Sequence, residues 1–177
     1  MHPNVKRLLD LEFDEQRSEA WLKLRGNMLT ASDAGTAIGV NKYETPDDLL
    51  RKKCGIGEKF TGNIYTEWGT KMEPVAIQMF EEQYGEKVHD LGLIPHEKYP
   101  WLGGSPDGLT ENNCLVEIKC PMMRKITGEV PIWYNAQIQV CMEIMNVESC
   151  YFVEYQPIEI SWPKEAVFSV TIVPRDR

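Results

Sequence analysis

Ser105-Pro106-Asp107-Gly108-Leu109 and, after a polar interval, Cys114-Leu115-Val116-Glu117-Ile118-Lys119-Cys120 decide the fold. Gly103 to Leu109 and Cys114 to Cys120 are short runs bounded by turn residues, expected as two strands joined at Thr110 to Asn113. Alternation along the second strand sets Glu117 and Lys119 on one face and Val116 and Ile118 on the other. Nine residues separate Asp107 from Glu117, and a hairpin brings Asp107, on the neighbouring strand, beside that face. Two converging carboxylates make a hard-oxygen pocket suited to Mg²⁺ or Mn²⁺, to which the Ile118 main-chain carbonyl can add a ligand. Lys119, a compact cation, can orient or help deprotonate an attacking water and stabilise charge developing on a phosphate. An acid followed at a distance by Glu-x-Lys also describes an ordinary solvated strand, which is the commoner case. Leu115, Val116 and Ile118 instead mark a buried strand, where charges need partners. Gly103, Gly104 and Gly108 are expected to let a backbone or a ligand come close to Asp107.

Helices are expected upstream of this hairpin. Glu15 to Leu24 carries Ala20, Trp21 and Leu24 on one side and ends at Gly26. Thr30-Ala31-Ser32-Asp33 resembles a cap before a short helix to Ile38, closed by Gly39. Thr45-Pro46-Asp47-Asp48 opens another helix, with proline first and acids in the first turn, ending at Gly55. A longer helix is expected from Glu73 to Tyr84, stopped by Gly85, and then a strand from Lys87 to Ile94. Downstream, Pro131 to Met145 is a helix apolar almost all round, which implies burial on several sides. Tyr151 to Tyr155 and Val167 to Val173 are strands. No repeat, low-complexity tract or linker interrupts this order, so residues 1–177 are expected to form a single mixed α/β domain.

With 42% hydrophobic and 26% charged residues the chain has a globular composition. No apolar run nears the roughly 20 residues that cross a bilayer, and Met1 to Phe13 is too interrupted by Asn4, Lys6, Arg7 and Asp10 for a signal peptide. The five cysteines form no CxxC pair and no zinc spacing. Reduced thiols in an intracellular compartment are the expectation. A net charge of −8 argues against nucleic-acid binding by the whole surface. The acid is unevenly spread, however: Ile126 to Pro174 holds six glutamates against one lysine. Any DNA face is therefore expected earlier, near Arg51-Lys52-Lys53, Lys71 and Arg124-Lys125, unless those clusters are plain solvated surface.

Ser105-Pro106-Asp107-Gly108, Glu117-Ile118-Lys119-Cys120-Pro121 and Tyr134-Asn135-Ala136-Gln137-Ile138-Gln139 together resemble the lambda exonuclease and YqaJ-type viral recombinase family. That family lies within the PD-(D/E)xK nuclease superfamily. Trp21 to Arg25, Thr30 to Asp33, and Trp68-Gly69 with Glu73 fall where it has further motifs, so the resemblance runs from about residue 18 to 156 in order. It implies a restriction-endonuclease-like core, a central mixed sheet flanked by helices. Asp107 and Glu117 match its metal-binding acids, Ile118 the residue lending a carbonyl, Lys119 its catalytic lysine, and Glu73 a further acid at the metal site. Arg25, Ser32, Ser105 and Gln137 match residues that hold the phosphate of a DNA 5′ end. Simpler readings exist: Arg25 and Glu73 as surface ion pairs, Ser32 as a helix cap. Gln137 lies on an otherwise apolar helix, where a polar side chain needs a reason. The resemblance also implies a ring-shaped homotrimer and a single-strand annealing protein as partner. Two departures bear on the trimer: only 15 residues separate Pro121 from Gln137, and the sequence stops at Pro174-Arg175-Asp176-Arg177 soon after a strand.

The expected activity is that of a Mg²⁺-dependent DNA nuclease, with Mn²⁺ as the other candidate and two ions per site. A 5′→3′ exonuclease acting on duplex ends in recombination or repair is favoured. The rivals are a structure-selective or nicking endonuclease and a DNA-end-binding module that does not cleave. Linear and closed circular DNA, each with Mg²⁺ and with EDTA, tell the three apart.

Overall fold

The structure, a computed structural model, describes residues 1–12, 18–57, 62–159 and 165–176. The chain opens with α1 (Pro3–Leu9), whose proline needs no N–H partner at the helix start. Seven residues carry too short a pattern to announce this helix, yet Val5 and Leu8 are fully buried. In α2 (Glu19–Gly26) the Ser18 hydroxyl accepts from the Trp21 N–H at 3.2 Å. The expected start at Glu15 lies outside the described residues, and Gly26 is the last helical residue rather than the stop. Then come β1 (Leu29–Thr30), a 3₁₀ turn (Ala31–Asp33) and α3 (Ala34–Ala37). The cap here is Thr30 with Asp33, whose Oδ2 accepts both the Thr30 N–H at 2.9 Å and its hydroxyl at 2.8 Å. Ser32 is not the cap; it stands inside the turn, and its hydroxyl is left for other partners.

Thr45 caps α4 (Pro46–Lys53) as expected, with Asp48 reciprocating. The long helix α5 (Ile64–Tyr84) begins nine residues earlier than Glu73, the expected start. Asn63 accepts from the Tyr65 and Thr66 N–H groups, both at 3.0 Å, and fixes the true start. Gly85 ends the helix in the left-handed region, at φ 66°.

Two expected strands are each split. Lys87 to Ile94 becomes β2 (Val88–His89) and β3 (Ile94–Pro95); Gly103 to Leu109 becomes β4 (Leu102–Gly104) and β5 (Gly108–Thr110). The halves pair with each other, β2 with β5 and β3 with β4, so one bent hairpin passes from one sheet into another. Pro106 explains the second break: it lacks an N–H for a ladder and restricts Ser105 before it. The smaller sheet has the order β1-β4-β3. The larger has the order β2-β5-β6-β7-β8, completed by β6 (Leu115–Lys119), β7 (Ser149–Gln156) and β8 (Val167–Pro174). Only β6 and β7 run parallel in it, joined through the crossover helix α6 (Ile132–Met145).

The larger sheet is covered on both faces, as a central mixed sheet flanked by helices should be. Ala76 and Phe80 of α5 pack on Val116, Ile118 and Val153. Ile138, Cys141, Met142 and Met145 of α6 pack on Leu115, Cys150 and Phe152 on the other side. Against α6 lies α3, at a closeness only glycine permits. A Cβ on Gly35 would stand 2.8 Å from the Trp133 Cβ and 2.9 Å from its Cα. Those are backbone-anchored atoms that cannot swing aside. Gly35→Ala is therefore expected to destabilise the fold by about 1–3 kcal/mol through overpacking, read as a lower urea midpoint.

Candidate active site

The face alternation on β6 holds. Val116 and Ile118 point to α5, while Glu117 and Lys119 point to α6. Glu117 is 2% exposed. Its Oε1 accepts from the Lys119 ammonium and, at 2.6 Å, from the Gln137 amide on α6. That contact supplies the reason a polar residue sits on an otherwise apolar helix face. The Lys119 ammonium also lies 5.0 Å from the Tyr134 ring centroid.

Asp107 occupies the bend just before β5, and its Oδ2 accepts the Ile118 N–H at 2.6 Å. The register Gly108–Val116, continued by two residues, sets Pro106 opposite Ile118. Proline has no N–H to offer the Ile118 carbonyl there, and the Asp107 carboxylate accepts the Ile118 N–H in place of a main-chain carbonyl. In an extended strand the N–H and C=O of one residue point the same way. The Ile118 carbonyl therefore faces the Asp107 side, where no proline donor meets it.

Charge at this spot is unbalanced. Burial pushes the Glu117 carboxyl well above the usual carboxylate range, and Asp107 adds to the rise against the opposing pull of Lys119. Burial works to lower the Lys119 ammonium, but Glu117 and Asp107 outweigh it and hold it above its ordinary value. Lys119 is thus a cation among three acids, Glu73 on α5 being the third. Among the described residues no three carboxylate, thiol or imidazole groups enclose an ion by themselves. Mg²⁺ needs no such cage, since it keeps waters and takes one or two carboxylates plus substrate phosphates. The donor set present, two hard carboxylates beside a main-chain carbonyl with acid in excess of base, fits that ion.

A cavity of about 870 Å³ opens on this cluster, lined among others by Arg25, Glu73, Asp107, Ile118, Lys119 and Arg124. Glu117 stands behind its wall. A recess of about 170 Å³ adjoins it and includes Ser32 and Gln137. Arg25 bridges the two, donating through Nη2 to the Ser32 hydroxyl at 2.5 Å. Ser105 lines neither space, but its buried hydroxyl has no hydrogen-bond partner among the described residues. Seven of the nine residues singled out in the sequence thus line two adjoining spaces, Glu117 is bonded to two of them, and Ser105 lies apart.

Another expectation fails. Gly103, Gly104 and Gly108 do not open Asp107 to a ligand; core side chains fill the space beside them. A Cβ would meet Met28 and Leu93 at 3.2 Å from Gly103, Ile144 at 3.1 Å from Gly104, and Val88 at 2.2 Å from Gly108. Arg51, Lys52 and Lys53 each have an acidic partner, two of these pairs on the open surface. Arg51 pairs with Asp47 at 2.7 Å, Lys52 with Glu44 at 3.3 Å, and Lys53 with Asp33 at 2.7 Å. Sequence reasoning missed Glu154, 1% exposed on β7, which binds Arg124 at the cavity wall. An acid at an inward position of the apolar run Tyr151 to Tyr155 was the signal for it.

The YqaJ-like viral recombinase domain family matches residues 20–148 of the chain. A protein of Acanthamoeba polyphaga mimivirus is 28% identical over 179 residues, which takes in 90% of this chain and 33% of that protein. One of African swine fever virus is 30% identical over 156 residues, 71% of this chain and 45% of its own length. The chain thus spans less than half of the viral relatives it matches. Among solved structures, the alkaline exonuclease LHK-Exo from Laribacter hongkongensis superposes with a TM-score of 0.74 at 28% identity, covering 90% of this chain and 83% of that one. The same enzyme in complex with dAMP superposes equally well. The expected mixed α/β fold and the expected resemblance both hold.

Proposed function

The chain belongs to the YqaJ-like viral recombinase domain family, and from that premise we propose that it is a metal-dependent deoxyribonuclease that degrades duplex DNA from a 5′ end. The observation that carries this reading is the adjacency of two sets of groups. Arg25, Ser32 and Gln137 form a recess for an anion, and Asp107, Glu117 and Lys119 stand next to it. The likeness to an alkaline exonuclease over 90% of the chain supports the same reading.

Asp107, Glu117 and the Ile118 carbonyl would hold the cation, Mg²⁺ in the first instance and Mn²⁺ as the other candidate, with Glu73 reaching a second ion directly or through water. A bound divalent ion supplies a Lewis acid that polarises the phosphate and lowers the pKa of a bound water. The chain's own groups do the rest. Lys119 is protonated, so it orients the attacking water and faces the charge that builds on the phosphate oxygens. Gln137 and Lys119 fix the Glu117 carboxylate by donating to one of its oxygens. A terminal phosphate carries more charge than an internal diester. Arg25 meets it with a two-pronged, charge-assisted contact, and Ser32 and Gln137 add neutral donors. Duplex ends in recombination or repair are the substrate proposed, and a single-strand annealing protein is the partner.

Duplex with 5′-phosphoryl ends is expected to be degraded faster than the same duplex with 5′-hydroxyl ends, and Arg25→Ala to remove the difference. Initial rates of nucleotide release with Mg²⁺ measure both. Equal rates on the two substrates by the unmodified protein would rule out the recess. Cleavage of closed circular DNA would then favour an endonuclease.

A further inference from the structure

The two cavities meet at a wall of rings that neither the cation chemistry nor the phosphate recess requires. Tyr43, Trp133 and Tyr134 line both spaces. Tyr43 meets Trp133 edge to face, with centroids 6.0 Å apart. The Lys42 ammonium stands 4.9 Å from each of these two rings. Tyr43 is 72% exposed, so most of its ring surface stays open. Trp133 is held from behind by Gly35, whose missing side chain lets α6 approach. The wall is therefore fixed on one side and open on the other, and it shares its recess with Ser32 and Gln137.

A nucleobase always presents a π face, and stacking on an aromatic side chain is indifferent to which base it is. We propose that Tyr43 and Trp133, with Lys42 beside them, form a stacking platform for the base of the 5′-terminal nucleotide. The inference rests on the 5′-end reading and adds the ligand's second half. A phosphate held by Arg25 and Ser32 leaves the sugar and base of the same nucleotide to be accommodated nearby, and the rings are the apolar surface offered there. Lys42 adds positive charge where the strand enters. A platform that reads stacking alone suits an enzyme that must accept every base in turn.

Short single strands, 5′-phosphorylated and labelled at the 3′ end, test the platform. Two versions differ only at the 5′-terminal nucleotide, which carries thymine or is abasic. They are titrated against the protein in EDTA, so that nothing is cut, with fluorescence anisotropy as the readout. The base-bearing strand is expected to bind about tenfold more tightly. Tyr43→Ala should abolish that difference and Tyr43→Phe should keep it, and an exposed residue can be changed this way without touching the core. Equal affinity for both strands, no measurable binding of the base-bearing strand, or undiminished discrimination by Tyr43→Ala overturns the platform. The same pair with 5′-hydroxyl ends separates the two ideas. Base discrimination without any effect of the phosphate upholds the platform and counts against the phosphate recess. A phosphate effect without base discrimination overturns the platform alone.

Discussion

Asp107→Asn is expected to slow metal-dependent degradation of linear duplex by at least about 10³-fold, since losing even an outer partner of a metal ligand costs 10–100-fold. The fold should survive. The amide keeps an oxygen for the Ile118 N–H, which Asp107 now accepts at 2.6 Å, and it removes a charge that opposes ionisation of Glu117. Asp107→Ala should be equally inactive yet less stable, by about 1–3 kcal/mol, because it leaves that N–H without its acceptor. Cleavage assays with Mg²⁺, paired with urea unfolding of both variants, separate chemistry from folding. Near-normal cleavage by Asp107→Asn would remove this residue from the cation site.

Lys119→Ala should slow cleavage by about 10²–10³-fold, the usual cost of one electrostatic stabiliser, while DNA ends still bind. The ammonium is the cation that faces Glu117, whose side chain is 3% exposed. Without it, Glu117 keeps Gln137 as a donor but has no charge opposite, and a buried carboxylate left in that state destabilises the fold. On the proposed reading, a divalent cation that binds only the folded protein stabilises it by mass action. Added Mg²⁺ should therefore raise the unfolding midpoint of Lys119→Ala by more than it raises that of the unmodified protein. Normal turnover with weakened DNA binding would recast Lys119 as a phosphate contact.

Much of this site was legible because it is local. Glu117 and Lys119 share a face by simple alternation, and Leu115, Val116 and Ile118 announce a buried strand. Thr45-Pro46-Asp47-Asp48 specifies its helix start through its own side chains. What escaped depends on contacts distant in sequence. Pro106 marks the break at Ser105 to Asp107, but the capture of β4 by the smaller sheet depends on β1, which pairs as Leu29–Leu102 and Thr30–Gly103 from far earlier in the chain. Glycines beside Asp107 looked like room for a ligand, yet Val88, Ile144 and Met28 take that room. Asp33, Glu44 and Asp47 pair with the lysines and arginine on α4, and the pair with Asp33 reaches back to the turn after β1. The first turns of α5 escaped too: Asn63 caps them, and Gly69, a poor helix former, sits within them without ending the helix.

The bent hairpin has a mechanical consequence. Ser32 follows β1 by two residues, Asp107 follows β4 by three, and β1 pairs directly with β4 through Leu29–Leu102 and Thr30–Gly103. Ser32, assigned to gripping, and Asp107, assigned to cutting, are thus each anchored within three residues of the same hydrogen-bonded pair of strands. Such a mounting acts as a gauge. On the proposed 5′-end reading it would set how far along the strand from a seated end the reaction falls, the same after every turnover. Inserting a residue between Gly104 and Asp107 would reset that stride and change the size of the fragment released.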